Sequence, residues 1–177
     1  MNTYIVLLRG LNVGGHKKVP MADLRLLLTK SGLENVQTYI QSGNVVFQSS
    51  EKNIENLESQ IKKLILDDFG FEVPLIVNTR EDLLVIFDNC PFAEAKKENS
   101  YFTMLSDIPN KDLVKEASQK TYPDEEYEIL NDCIYFFCAK GYGRAKFNFN
   151  FFERKLNVSA TSRNYKTMVK LLSLSDK

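Results

Sequence analysis

Three stretches of the chain are polar where a fold alone does not demand it, and each carries residue types that hold an anion. The first is RGLNVGGHKK, residues 9–18, with Arg9, Asn12, Gly14, Gly15 and Lys18. Glycines let a ligand approach the backbone, and a loop that runs into a helix start offers unpaired N–H groups to negative charge. The second is GYGRAKFNFN, residues 141–150, which repeats the arrangement with Gly141, Gly143, Arg144 and Lys146 and interleaves Tyr142, Phe147 and Phe149. Basic and aromatic residues together suit a nucleobase or single-stranded nucleic acid, through phosphate contact and stacking. The third is SATSRNYK, residues 159–166. Here Thr161 or Ser162 is expected to cap the last helix, with Arg163 and Lys166 in its first turn. The helix dipole disfavours cations there unless an anion joins them. The segment QSGN adds Gln41, Ser42 and Asn44 as neutral hydrogen-bonding groups. Each stretch also has a purely structural reading: a glycine turn, an aromatic core, a small penalty at an exposed helix end, and a hairpin turn.

Other chemistries are poorly served. The pattern G-x-x-x-x-G-K-[ST] needs Lys where this chain has His16, and no Ser or Thr follows, so the first loop is not a nucleotide P-loop. His16 is the single histidine, which removes paired-histidine zinc sites and leaves any Ser-His-Asp triad dependent on that residue. The cysteines Cys90, Cys133 and Cys138 are odd in number and lack metal-ligand spacing; they read as buried free thiols of a reducing cytoplasm. The acidic run DEEYE, residues 124–128, lacks calcium-loop spacing and reads as a solvated loop. Metal-assisted phosphoryl chemistry needs clustered carboxylates, and the polar stretches have almost none beyond Glu153. No metal and no cofactor is expected.

The 177 residues carry no formal net charge, yet the charge is uneven: +3 over residues 1–48, −10 over 49–139 and +7 over 140–177. Two basic ends and an acidic middle hint at an anionic partner, unless the ends are simply solvated. No apolar run approaches the length of a membrane span, and MNTYIVLLRG reads as a first strand rather than a signal peptide. The expectation is a cytoplasmic protein with no membrane partner.

The elements that must position these residues follow from pattern. TYIVLLR is a buried strand, and a helix runs from about Pro20 to Ser31, with Pro20 at its first position and Gly32 after its end. VQTYIQ and NVVFQS form a hairpin around SGN. A second helix over about 53–69 keeps a 3.6-residue period and stops at Gly70; FEVPLIV is then an edge strand, because Pro74 cannot donate to a ladder. The order β-α-β-β-α-β is the split-βαβ, ferredoxin-like plan. Beyond a short helix at about 80–88, the order β-α-β-β-α recurs, with helices at about 111–120, 149–156 and 164–174. A terminal helix takes the place of a clean fourth strand. The fold class is α+β: two ferredoxin-like halves with mainly antiparallel sheets. The domains divide as a ferredoxin-like half over 1–79, a helical linker over 80–99, and a second α+β half with a C-terminal helix over 100–177.

The segments RGLNVGG, KVPM, TYIQSGNVVF and ATSRNYKTMVKL resemble the hallmark stretches of the bacterial domain-of-unknown-function family 1697. The resemblance spans essentially the whole chain. It implies a compact α+β protein with ferredoxin-like parts and brings no activity with it. Matched residue by residue, it picks out Arg9, Asn12, Gly14, Gly15 and Lys18; then Gln41, Ser42, Gly43 and Asn44; then Thr161, Arg163, Asn164, Thr167 and Lys170. Tyr165 stands where the pattern has Trp, and AKFNF replaces an SKLTN-like run, which leaves residues 145–149 without an inherited role.

The expected function is binding of a phosphate-bearing ligand, a nucleic acid or nucleotide. Its pocket is built from the first loop, the hairpin turn and the start of the last helix, with Arg144 nearby. Arg9, Lys18 and Arg163 would meet phosphate oxygens, and Asn12, Asn44 and Asn164 would position the ligand. One alternative is a metal-independent enzyme using His16 or Glu153 as acid or base. Another is an interaction module in which the polar segments are only caps and turns.

Overall fold

The computed structural model describes residues 1–176. Its chain divides into two compact units, Met1–Leu84 together with the chain from Lys170 on, and Val85–Val169.

The first unit is built on β1 (Asn2–Leu8), α1 (Met21–Lys30), β2 (Glu34–Tyr39), β3 (Asn44–Ser49), α2 (Ile54–Phe69) and β4 (Leu75–Thr79). The sheet order is β2-β3-β1-β4, with every pairing antiparallel. This is the ferredoxin-like order expected of β-α-β-β-α-β. Every second residue of β1, Tyr4, Val6 and Leu8, enters a core with Val45 and Phe47 of β3, Leu24 and Leu28 of α1, and Leu57, Ile61 and Ile65 of α2. Each such fully buried side chain contributes roughly 1.5–3 kcal/mol of transfer free energy. Asn53 caps α2 by accepting from the Asn56 N–H, and Gly70 closes it in the left-handed region at φ 79°. Pro74 sits one residue before the edge strand β4, where no ladder donor is lost. At α1, Pro20 is the capping residue with extended φ/ψ rather than the first helical residue.

Two helices follow β4: α3 (Arg80–Asp88) and the single turn α4 (Glu94–Lys97). The second unit then uses β5 (Ser100–Leu105), α5 (Lys111–Ala117), β6 (Glu125–Leu130), β7 (Cys133–Cys138), α6 (Phe149–Leu156), β8 (Ala160–Asn164) and the start of α7 (Tyr165–Leu174). Its sheet order, β6-β7-β5-β8, reproduces that of the first unit, again all antiparallel. Phe147 stacks on Phe136 at 4.4 Å and on Phe152 at 4.7 Å in a core completed by Ile134, Leu156 and Ala117. The aromatic-rich stretch after β7 therefore supplies core first.

Four sequence expectations are corrected. The second half does have a fourth strand, β8, spanning ATSRN. Its pairing with β5 is made by backbone, and so short a stretch with one aliphatic residue carries no hydrophobic alternation to announce it. The last helix accordingly starts at Tyr165, and its cap is Asn164, whose Oδ1 accepts the Thr167 N–H at 2.9 Å. Thr161 and Ser162 cap nothing, and Arg163 is a buried strand residue rather than a first-turn cation. Most of DEEYE belongs to the edge strand β6, with Glu126 and Glu128 on the exposed positions of its alternation. All three cysteines are free, but only Cys133 and Cys138 are buried; Cys90 is half-buried.

Candidate functional site

In the first unit, the loop after β1 and the β2–β3 turn are locked together. The Asn12 side chain is the clamp: its Nδ2 donates to the carbonyls of Val19 at 3.0 Å and Gln41 at 2.8 Å, while its Oδ1 accepts the Val19 N–H at 2.9 Å. Val13 and His16 pair across Gly14 and Gly15, which both have positive φ, as a two-residue hairpin turn requires. The His16 N–H closes this turn on the Val13 carbonyl at 3.1 Å. The glycine pair thus serves a miniature hairpin rather than a loop wrapped around a phosphate. At Gly43 the demand is steric as well: φ is 81°, and an added Cβ would lie 2.7 Å from the Leu8 Cβ. The Leu8 N–H donates to the Gly43 carbonyl at 2.8 Å and the Arg9 N–H to the Pro74 carbonyl at 2.9 Å. Lys17 reaches the Glu72 carbonyl at 2.7 Å. Asn44 is fully buried, its amide donating to the Tyr39 carbonyl at 3.0 Å and Ser42 Oγ at 3.1 Å. The end of this unit therefore gathers Arg9, Asn12, Gly14, Gly15, Lys18, Gln41, Ser42 and Asn44. Of these, Asn12 already spends its amide group on the backbone, and Asn44 spends its own on the Tyr39 carbonyl and the Ser42 hydroxyl. The exposed Ile40, beside Gln41, is held at φ 50°, a strained region for a β-branched residue.

In the second unit, the other two polar stretches meet around a cleft of about 510 Å³ at the end of the sheet. Its walls include Ser100 and Tyr101 of β5, Phe137 of β7, Gly141, and Asn164, Tyr165 and Lys166 at the start of α7. The exposed ring of Tyr142 lies 4.7 Å from that of Tyr101. Arg144, also exposed, closes a 3₁₀ turn on the Gly141 carbonyl at 3.1 Å. The first turn of α7 has no acidic residue. The equivalent helix after β4, α3, has Asp82 there, and its carboxylate accepts the Thr79 N–H at 3.1 Å. One helix start is neutralised from within, and the other keeps its positive end beside Lys166. Glu98 also lines the cleft. Burial, with Glu94 and Glu98 nearby, pushes the Tyr165 hydroxyl pKa up.

Arg163 and Thr161 are buried and do not line this cleft. The Arg163 guanidinium donates to Thr161 Oγ1 at 2.9 Å and to the Ser162 carbonyl at 2.8 Å, and burial lowers its pKa to about 10. Lys170 is exposed on α7 beyond the cleft, in the part of the helix that groups with the first unit. Glu153 binds the Ala160 N–H at 2.8 Å, tying α6 to β8. Tyr101, Phe137 and Ser100 were not legible as site residues, since inside strands they carry only a core signal.

Among the described residues, no cluster of three or more His, Cys, Asp or Glu could hold a metal ion, and no helix is long and apolar enough to cross a membrane. No curated protein matches the chain. A solved structure does, a conserved bacterial protein from Streptococcus pneumoniae: 26% identity over 99% of each chain, at a TM-score of 0.78. A family model described as "Protein of unknown function (DUF1697)" matches residues 1–135, three quarters of the chain and all of the first polar loop and hairpin turn. With its own motifs, its two antiparallel sheets and this match in agreement, the chain belongs to the DUF1697 family.

Proposed function

We propose that the protein binds a phosphate-bearing ligand, a nucleotide or a short stretch of single-stranded nucleic acid, in the cleft of the second unit. The observation that carries this reading is the composition of one wall. The start of α7, whose own first turn has no acidic residue, and Lys166 line the cleft together with Tyr101, Tyr165 and Phe137, with Glu98 the acidic residue among the lining. An anion at that helix start is stabilised by the dipole and by Lys166, and a base has aromatic faces within the same cleft. Asn164 both caps the helix and lines the cleft, so it fixes the angle at which the first turn is presented. Arg144, exposed on the 3₁₀ turn after Gly141, is the further cation we assign to a longer ligand. The first-unit residues Arg9, Lys18 and Gln41 form a second polar surface, with Asn12 and Asn44 holding its backbone rather than reading a ligand.

The test is a titration against single-stranded DNA and RNA oligonucleotides and against nucleoside phosphates, at two salt concentrations. Binding that weakens with salt and is lost in Lys166→Glu supports the reading. No binding at low salt, or binding indifferent to Lys166→Glu and Tyr101→Ala, overturns it.

A further inference from the structure

The two sheets repeat one topology but finish their outer edges differently. In the first unit, the β2 edge is broken. Its register with β3 shifts between Glu34 and Gln37, and Asn35 adopts φ 51°. Such a bulge is a device that stops further strands from adding. In the second unit, β6 holds the equivalent place, and its six residues run in unbroken register against β7 from Glu125↔Cys138 to Leu130↔Cys133. There is no bulge, no proline and no lysine in it.

The Leu105 N–H donates to the Asp132 carbonyl at 2.8 Å, so the even-numbered residues of β7 face β5 and the odd-numbered ones face β6. Glu126, Glu128 and Leu130 are therefore the residues bonded to β7. Glu125, Tyr127 and Ile129 direct their N–H and C=O groups outward. The Glu125 N–H turns back to the Tyr122 carbonyl at 3.3 Å. Tyr127 and Ile129 have no such backbone partner among the described residues. A groove of about 590 Å³ lies at this edge, lined by Glu125 through Ile129 together with Phe92, Lys120 and Tyr122.

We infer that the outer edge of β6 receives an extended, lysine- or arginine-rich segment of a partner protein, which adds to the sheet as a fifth strand. The backbone of Tyr127 and Ile129 supplies the ladder, and Glu126 and Glu128 supply the charge preference. Glu126 already shows the contact in miniature, holding Lys96 at 2.6 Å. A second copy of this chain is disfavoured as the occupant, because antiparallel self-pairing would bring two acidic strands together. This surface is separate from the cleft at the start of α7, and the inference does not depend on what that cleft binds.

The experiment uses the full chain and short fluorescent peptides in which lysine alternates with valine, threonine or tyrosine. The controls are the same peptides with glutamate for lysine, and with the backbone nitrogens of alternate residues methylated. The expected result has three parts: binding by at least one lysine peptide but by no glutamate peptide, loss of that binding on methylation, and slower amide exchange at Tyr127 and Ile129. Glu126→Lys with Glu128→Lys should weaken it about tenfold or more, since like charges then face each other. Failure of every lysine peptide to bind overturns the inference. So does binding that survives methylation, which would be charge attraction without strand addition. Both glutamates are exposed on an edge, so the variant should fold; its circular dichroism and urea midpoint provide the check.

Discussion

The side-chain amide of Asn12 donates to the main-chain carbonyl of Gln41 at 2.8 Å, across 29 positions of sequence. With the two bonds to Val19, this makes one side chain the fastener between the loop after β1 and the β2–β3 turn. Both ends of the joint lie within the part of the chain that the family model matches, and Asn12 here makes them a rigid loop pair.

Replacing Asn12 by Ala should therefore act on stability. It leaves the Val19 N–H and two carbonyls without a protein partner, at a cost of about 1–3 kcal/mol. Urea denaturation should show the loss, and amide exchange should quicken around Gln41 while oligonucleotide binding to the folded protein changes little. A variant that kept full stability but lost binding would move Asn12 into the ligand site.

Gly43→Ala should be more severe than an ordinary turn substitution. The new methyl group would meet the Leu8 Cβ at 2.7 Å and the Leu8 carbonyl at 3.3 Å, on a backbone at φ 81°. Leu8 is a buried core residue of β1, so the clash cannot be relieved by moving a flexible side chain. Strain and overpacking together should cost about 2–5 kcal/mol, seen as a lowered denaturation midpoint with an unchanged slope.

The fold was legible wherever one local signal sufficed. Gly70 after a 3.6-residue period and Pro74 before an edge strand each fix an element by local chemistry. The strand β8 was hidden because its identity is conferred by β5: Ala160, Thr161, Ser162 and Arg163 pair through main chain, and Arg163 is buried against expectation for its type. The candidate site was half legible for the same reason. Glycine, asparagine and lysine mark a loop from sequence, but Tyr101 and Phe137 become cleft walls only through the sheet that ends beside them. Which polar residues are already spent, as Asn12 and Asn44 are, is a fact of geometry alone.

At the start of α7, function and stability should oppose each other. Lys166 lies in the first turn of a helix whose only cap is Asn164. Lys166→Glu exchanges an unfavourable charge–dipole contact for a favourable one and should raise the stability of the free protein by about 0.3–1 kcal/mol. The same change places a carboxylate where an anion would bind, so oligonucleotide affinity should fall. Asn164→Ala should lower stability by about 1 kcal/mol through loss of the cap. Thermal unfolding with and without oligonucleotide separates the two effects; a Lys166→Glu protein that is both less stable and fully competent to bind would contradict this account.

Stability should fall on the alkaline side, and the largest part of the fall belongs to two groups of β7. Cys133 and Tyr135 are buried, and the Tyr135 hydroxyl donates to the Ile86 carbonyl at 2.7 Å. Burial pushes the Cys133 thiol well above its ordinary value of 9.0, and burial pushes the Tyr135 hydroxyl far above its ordinary value of 10.0. Below those ordinary values, both groups are neutral in the folded and the unfolded chain, and the full stability is present. As the pH rises past them, the unfolded chain releases protons that the folded chain retains, so the unfolded state is favoured. The urea midpoint should thus hold near pH 7 to 8 and decline above about pH 9. Tyr135→Phe should flatten that decline, while costing stability at neutral pH through the loss of the bond to Ile86. In the native protein at neutral pH, iodoacetamide should leave Cys133 unmodified and label it once urea exposes the chain. A thiol at Cys133 that reacted as fast folded as unfolded would refute the burial on which the alkaline decline rests.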